Sequence, residues 1–206
     1  MPHVLYNNKE FIKLGVNMSV SILQLWMPIG LAALFCWFAS ALIHMLMKYH
    51  NSDYKKLSNE EQVAEAIRAG SPTPGLYHMP HCTDMKEMND ESMQQKFIKG
   101  PIAMISIFDN GLPPMGKLLV QQFLYFVFAC TMIAYVASLA LAMSVEFSSV
   151  FRFVFTLSFL TFGVAVIPYS IWFGHPWLNC LRYLVDAIIY AAVVAATFAW
   201  LWPVTL

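Results

Sequence analysis

Four long apolar runs, at residues 19–47, 118–143, 150–173 and 176–203, dominate the chain, and each is long enough to cross a bilayer as a helix at about 1.5 Å per residue. The links joining the last three, Ser144 to Ser149 and Gly174-His175-Pro176, are short, so consecutive spans run antiparallel. Between the first and second runs lies a long polar segment, 48–117, which gathers nine of the twelve acids and eight of the twelve Lys and Arg residues. The pattern predicts an all-α transmembrane protein: a four-helix membrane bundle with a small α/β extramembrane cap between helices 1 and 2. Residues 1–18 form a lead-in, read as a short solvated tail or an interfacial segment carrying Leu5, Phe11, Ile12 and Leu14. They lack the basic, apolar and small-residue succession of a cleavable signal, so the first run is expected to be retained as a span.

Inside the cap, Ser58 followed by Glu61 reads as a capping box, with Val63, Ala64 and Ile67 on one face of a short helix closed by Gly70. The stretch SPTPGLYHMPHC holds too much proline for a helix and reads as extended from about Gly75 to Met79. Residues 90–99 begin acidic and end basic before Gly100, which fits a second short helix and its dipole. IAMISIF, 102–108, is rich in β-branched residues and stops at the turn Asp109-Asn110-Gly111, giving a second strand. Such a cap is too small to enclose a large core alone and is expected to lean on the membrane or a partner.

Helical spacing assigns a face to each span. In the first, Gly30, Ala33, Trp37, Ser40 and His44 lie together and form the expected inward side, because small and hydroxyl-bearing residues let helices approach in lipid. Pro28 is expected to bend this span. In the second, Gln121, Tyr125, Phe128, Met132, Tyr135 and Leu139 form a stripe with hydroxyls at two depths, placed to bond neighbouring helices or a polar ligand. The third carries Arg152 near an interface, where it can snorkel, and Thr156, Gly163 and Ser170 on one side.

The fourth span is the most informative. Asn179, Arg182, Asp186, Tyr190 and Thr197 fall within about 80° of one another, so its polarity is confined to one stripe. If Trp177 and Trp200/Trp202 mark the interfaces, Asp186 lies about 5 Å from the midplane. An ionisable group at that depth is costly unless paired and turned from lipid. Arg182 and Asp186, four residues apart, can pair along the helix, with Arg152, Tyr125, Tyr135 or His44 as further partners.

Composition narrows the function classes. With 59% hydrophobic and 12% charged residues the chain lies outside the soluble range, and zero formal charge with no recognition module excludes nucleic acid as a partner. Cys36, Cys130 and Cys180 sit inside apolar runs and read as small hydrophobes. His78, His81 and Cys82 form the one loop cluster able to take copper or zinc, a weak pattern lacking a second ligand pair. His44 reads as an interfacial histidine, with a haem or metal ligand as the alternative. No cofactor is expected. Lys48, Lys55, Lys56, Lys117 and Arg182 against Lys9, Lys13 and Arg152 put the loop 48–117 in the cytoplasm and both termini in the periplasm.

The ordered signatures PGLY…P, KGP, NGxPPMGK, VFR, SIWFGxPW, DAxIY and WLWP, running from about Ser58 to Pro203, resemble a family of small four-helix bacterial inner-membrane proteins to which no activity attaches. His78 and His81 depart from the pattern of that family, which counts against a metal in the loop. The resemblance implies the fold and a bacterial inner membrane, not a reaction. With no catalytic pairing, cofactor motif or transporter repeat, the expected role is a non-catalytic accessory, assembly or interaction subunit. Its partners would be the lipid bilayer and a protein partner or second copy within the membrane. The alternatives are a small transporter or proton/ion pathway through Arg182 and Asp186, and a metal- or haem-linked redox protein.

Overall fold

The computed structural model describes residues 19–204; the lead-in at 1–18 lies outside the described residues. Four helices are long and apolar enough to cross a membrane: Ile22–Met47, Met115–Ala140, Phe147–Trp172 and Trp177–Trp200. The protein is a multi-pass membrane protein built as a four-helix bundle with a small two-stranded cap. The chain divides into two compact units, the spans together with the chain up to Asp53, and a second unit Tyr54–Pro113.

Within the bundle the third and fourth spans pack most extensively, and the first packs against both the second and the fourth. Small residues allow it. Ala32, Ala33 and Cys36 of the first span, Ala129, Cys130, Ala134 and Ala137 of the second, and Ala187, Ala191 and Ala195 of the fourth are all buried. At Gly163 an added Cβ would sit 3.0 Å from the Ala187 Cβ and 2.9 Å from the Phe159 carbonyl oxygen. That glycine sets the approach of the third span to the fourth.

Two prolines stand where the helix geometry changes. Pro28 falls in the first turn of the α-helix Trp26–Ala41, after a 3₁₀ turn at Ile22–Leu25, where its missing N–H breaks no ladder bond. Pro168 opens the short helix Ile167–Trp172, which follows a break at Gly163 and a 3₁₀ turn at Val164–Val166.

The inward faces also differ from those the hydroxyls suggested. Gly30 and His44 are exposed, whereas Ala33 of the expected side is buried and Trp37 packs against the core; the buried side of the first span runs through Leu25, Pro28, Ala32, Ala33, Cys36 and Ile43. In the second span the stripe from Gln121 through Tyr125 and Tyr135 to Leu139 is exposed, although the Tyr125 ring still meets Phe162 of the third span edge-on, centroids 6.3 Å apart. The physical reason is the same in both. Close packing selects the alanine and cysteine rows, and the bulkier row is left for the surround.

The cap carries helices Glu60–Ala69, Met85–Met88 and Glu91–Lys99 and strands β1 (Gly75–Met79) and β2 (Ala103–Ile107). The strands pair antiparallel, with Gly75 opposite Ile107 and Met79 opposite Ala103. Gly70 and Gly100 close the two longer helices as expected. The capping box does not form: Asn59 takes the N-cap position and makes no side-chain cap. Among the described residues of this unit none is buried.

Candidate functional site

The first span ends unlike an ordinary helix. Its last turn, Leu42–Met47, widens to π geometry; Lys48 then turns through a left-handed φ of 54°, and a 3₁₀ turn, Tyr49–Asp53, follows. That turn is tucked against the fourth span rather than released to solvent. His50 is buried at 9% exposure and the Asp53 side chain at 2%. Non-helical backbone at such a position needs its polar groups satisfied by protein, and here the fourth span supplies the partners.

Asp186, 3% exposed, is the centre of the cluster. The Tyr49 hydroxyl donates to its Oδ1. His50 Nε2 lies 2.9 Å from its Oδ2, and His44 Nε2 lies 4.0 Å from the same oxygen. On its other nitrogen, Nδ1, His50 meets Asp53 Oδ2 at 2.6 Å. Arg182 pairs with Asp53 Oδ1 through Nη1, and Asn179 Nδ2 donates to the Asp53 backbone carbonyl at 3.2 Å. The His50 ring lies parallel to that of His44, at an interplanar angle of 1° with centroids 4.9 Å apart, and its centroid is 5.0 Å from that of Tyr183 at 30°.

Hydrogen-bond chemistry fixes the roles of the nitrogens. His44 Nδ1 lies 3.0 Å from the Ser40 carbonyl, which can only accept, so Nδ1 carries the proton. In a neutral ring that leaves the Nε2 lone pair facing the Asp186 carboxylate. His50 stands between two carboxylates. With a proton on each nitrogen it donates to both, and with one proton one of those contacts lacks a donor and a cation can fill it. Burial pushes the Asp53 carboxyl up, but hydrogen bonds and charge from His50 and Arg182 outweigh it and hold the group below the ordinary carboxylate range.

Asp186 and His44 also border a lateral pocket of about 360 Å³, lined further by Ser40, Gln122, Tyr183 and Tyr190. Tyr190 is anchored edge-on between Phe126 and Phe162, at centroid distances of 5.5 and 5.8 Å. The buried carboxylate is therefore reached from the tucked turn on one side and from this pocket on the other.

The structure brings together some of the residues singled out by sequence and separates others. Asn179, Arg182 and Asp186 join the cluster, Tyr190 lines the pocket, and Thr197 is buried but bonds the Val193 carbonyl of its own helix. Arg182 does not pair with Asp186 along the helix, because Asp53, delivered by the tucked turn, is its ion partner. Arg152 is exposed and bonds the Ser148 carbonyl, while Tyr125 and Tyr135 lie on the exposed stripe. In the cap, His78 bonds the Pro80 carbonyl and Cys82 the Asp84 carbonyl. Neither these two nor His81 belongs to a group placed to share an ion. Among the described residues the group that does is His44, His50 and Asp186.

Tyr49, His50 and Asp53 escaped the sequence reading because they follow the apolar run. A signal was present nonetheless. Two ionisable residues one turn apart in a span each require a counter-charge, and a His and an Asp at i, i+3 just beyond the first span are the nearest candidates on that side. Comparison with protein-family models, with curated proteins and with solved structures gives no match for this chain.

Proposed function

We propose that this membrane protein binds a small cation, the proton included, at the His44–His50–Asp186 centre, and that the lateral pocket is the route by which the centre meets its surroundings. The supporting observation is the open side of His44: its Nε2 faces a buried carboxylate across 4.0 Å beside the pocket, while its Nδ1 is committed to the Ser40 carbonyl. A cluster serving packing alone has no use for a half-engaged imidazole next to a cavity. The resemblance noted from the sequence supports a bacterial inner membrane, and the Lys/Arg count supports a cytoplasmic cap with periplasmic termini. The reading is tested by following the histidine ring signals of the protein in lipid nanodiscs by nitrogen NMR, as pH crosses about 5 to 8 and as cations are added. A response of the His44 and His50 signals that changes in Asp186→Asn supports it. A response indifferent to Asp186→Asn refutes it.

A second reading, the non-catalytic accessory or interaction subunit, is favoured by the cap. A unit with no buried residue among those described, exposing Leu112 at 95%, Phe108 at 81% and Ile98 at 76%, has apolar surface to give to a partner or to lipid. Affinity purification from native membrane, with Phe108→Ser/Leu112→Ser as the comparison, tests it: a co-purifying protein lost in that variant supports this reading, and an unchanged pattern opposes it.

A further inference from the structure

The ligand chemistry of the centre narrows the cation further, resting on the reading just given. We infer that His44 Nε2, His50 Nε2 and Asp186 Oδ2 form a binding site for a divalent transition-metal ion of the zinc class. One ligand atom from each of the three residues falls within 4.8 Å of the others. Ligands about 2.0–2.2 Å from a shared ion at tetrahedral angles stand about 3.4 Å apart, so the observed 2.9 and 4.0 Å contacts bracket the requirement. Two imidazoles and a carboxylate make a borderline donor set, suited to zinc, cobalt or ferrous iron rather than to calcium or magnesium.

The surroundings of the ligands carry the inference further than their spacing. A metal-binding histidine characteristically gives its other ring N–H to a carboxylate or a backbone carbonyl, which fixes the tautomer and turns the lone pair to the ion. Both histidines are so arranged. His50 Nδ1 faces Asp53 at 2.6 Å, and His44 Nδ1 faces the Ser40 carbonyl at 3.0 Å. Arg182 and Asn179 in turn hold Asp53. Tyr49 occupies the other oxygen of Asp186, leaving Oδ2 for the ion. Asp53 is thus a positioning residue, acting through His50. The pocket beside His44 and Asp186 leaves room for a water or a ligand to complete the coordination.

The full-length protein, purified in nanodiscs, stripped of metal and titrated with Co²⁺ and Zn²⁺, decides the matter. The expected result is one equivalent per chain, with the visible absorption of four-coordinate Co²⁺, displaced by Zn²⁺. His44→Ala removes it. That variant is the primary one, since the His44 side chain is 44% exposed and its loss leaves the Asp186–His50–Asp53 contacts in place. Asp53→Asn weakens affinity by about 10–100-fold with the stoichiometry kept, a graded loss that a merely structural role would not give. His78→Ala/His81→Ala/Cys82→Ser binds as the wild type does. Binding unaffected by His44→Ala, or lost in the triple cap variant, overturns the inference. Absence of binding in the wild type also overturns it, and if the histidine signals still respond to pH through Asp186, the broader cation reading survives alone.

Discussion

Deleting one member of the Arg182–Asp53 pair tests whether the tucked turn or the helix itself supplies the counter-charge inside the fourth span. Asp53→Ala leaves the guanidinium and His50 without their carboxylate, and Arg182→Ala leaves Asp53, with 2% of its side chain exposed, facing His50 alone. Breaking a fully buried pair costs about 3–5 kcal/mol, and because Arg182 keeps 22% of its side chain exposed the expected loss is about 2–3 kcal/mol for either variant. The double variant should lose about 1–2 kcal/mol less than the sum of the singles, the mark of a direct contact. Reversible unfolding in mixed detergent micelles, followed by tryptophan fluorescence, measures all three. The matching cycle between Arg182 and Asp186 should couple more weakly, since those residues meet only through Asp53 and His50. Stronger coupling between Arg182 and Asp186 than between Arg182 and Asp53 would refute the arrangement.

Other consequences are independent of that pair. Gly163→Val drives a side chain into the Ala187 Cβ and the Phe159 carbonyl and should destabilise the bundle by about 1–3 kcal/mol, read as a lowered Tm; an unchanged Tm would contradict the close approach. Trp37→Phe removes the indole donor that meets the Leu119 carbonyl at 3.1 Å between the first two spans, and should cost about 0.6 kcal/mol, small but resolvable in the same unfolding assay. In the cap, the Thr83 backbone N–H, 2.9 Å from Glu87 Oε2, holds Glu87 below the ordinary glutamate range. A depressed carboxylate contributes stability that is present above its unfolded value and lost as pH falls through the folded one. The Thr83 amide should therefore keep its hydrogen-bonded NMR shift until pH drops below about 4.3. In Glu87→Gln that acid transition should vanish.

Much of the fold was legible because it depends on local rules. Apolar length located the spans, the glycines Gly70 and Gly100 closed the cap helices, and the β-branched run at 102–108 paired with the extended GLYHM segment. The stripe on the fourth span pointed inward because charge in lipid leaves no alternative. Periodicity identifies which residues share a face but not which face packs, so the Gln121–Tyr125–Tyr135 row, read as bonding neighbouring helices or a polar ligand, is exposed while the alanine row behind it is buried. The centre was harder still. Its partners are 126 to 142 residues apart, and Tyr49, His50 and Asp53 look like ordinary loop residues until the chain reverses at Lys48.

The central claim is that the fourth-span carboxylate is held by an imidazole from beyond the end of the first span. Solid-state NMR on bilayer-embedded protein, with nitrogen-labelled histidine and arginine and carbon-labelled aspartate, tests it by correlating side-chain nitrogens with the Asp186 carboxyl carbon. The structure requires a strong contact to the His50 ring, abolished in His50→Gln, and none to the Arg182 guanidinium. A dominant Arg182–Asp186 contact with no histidine signal would contradict it.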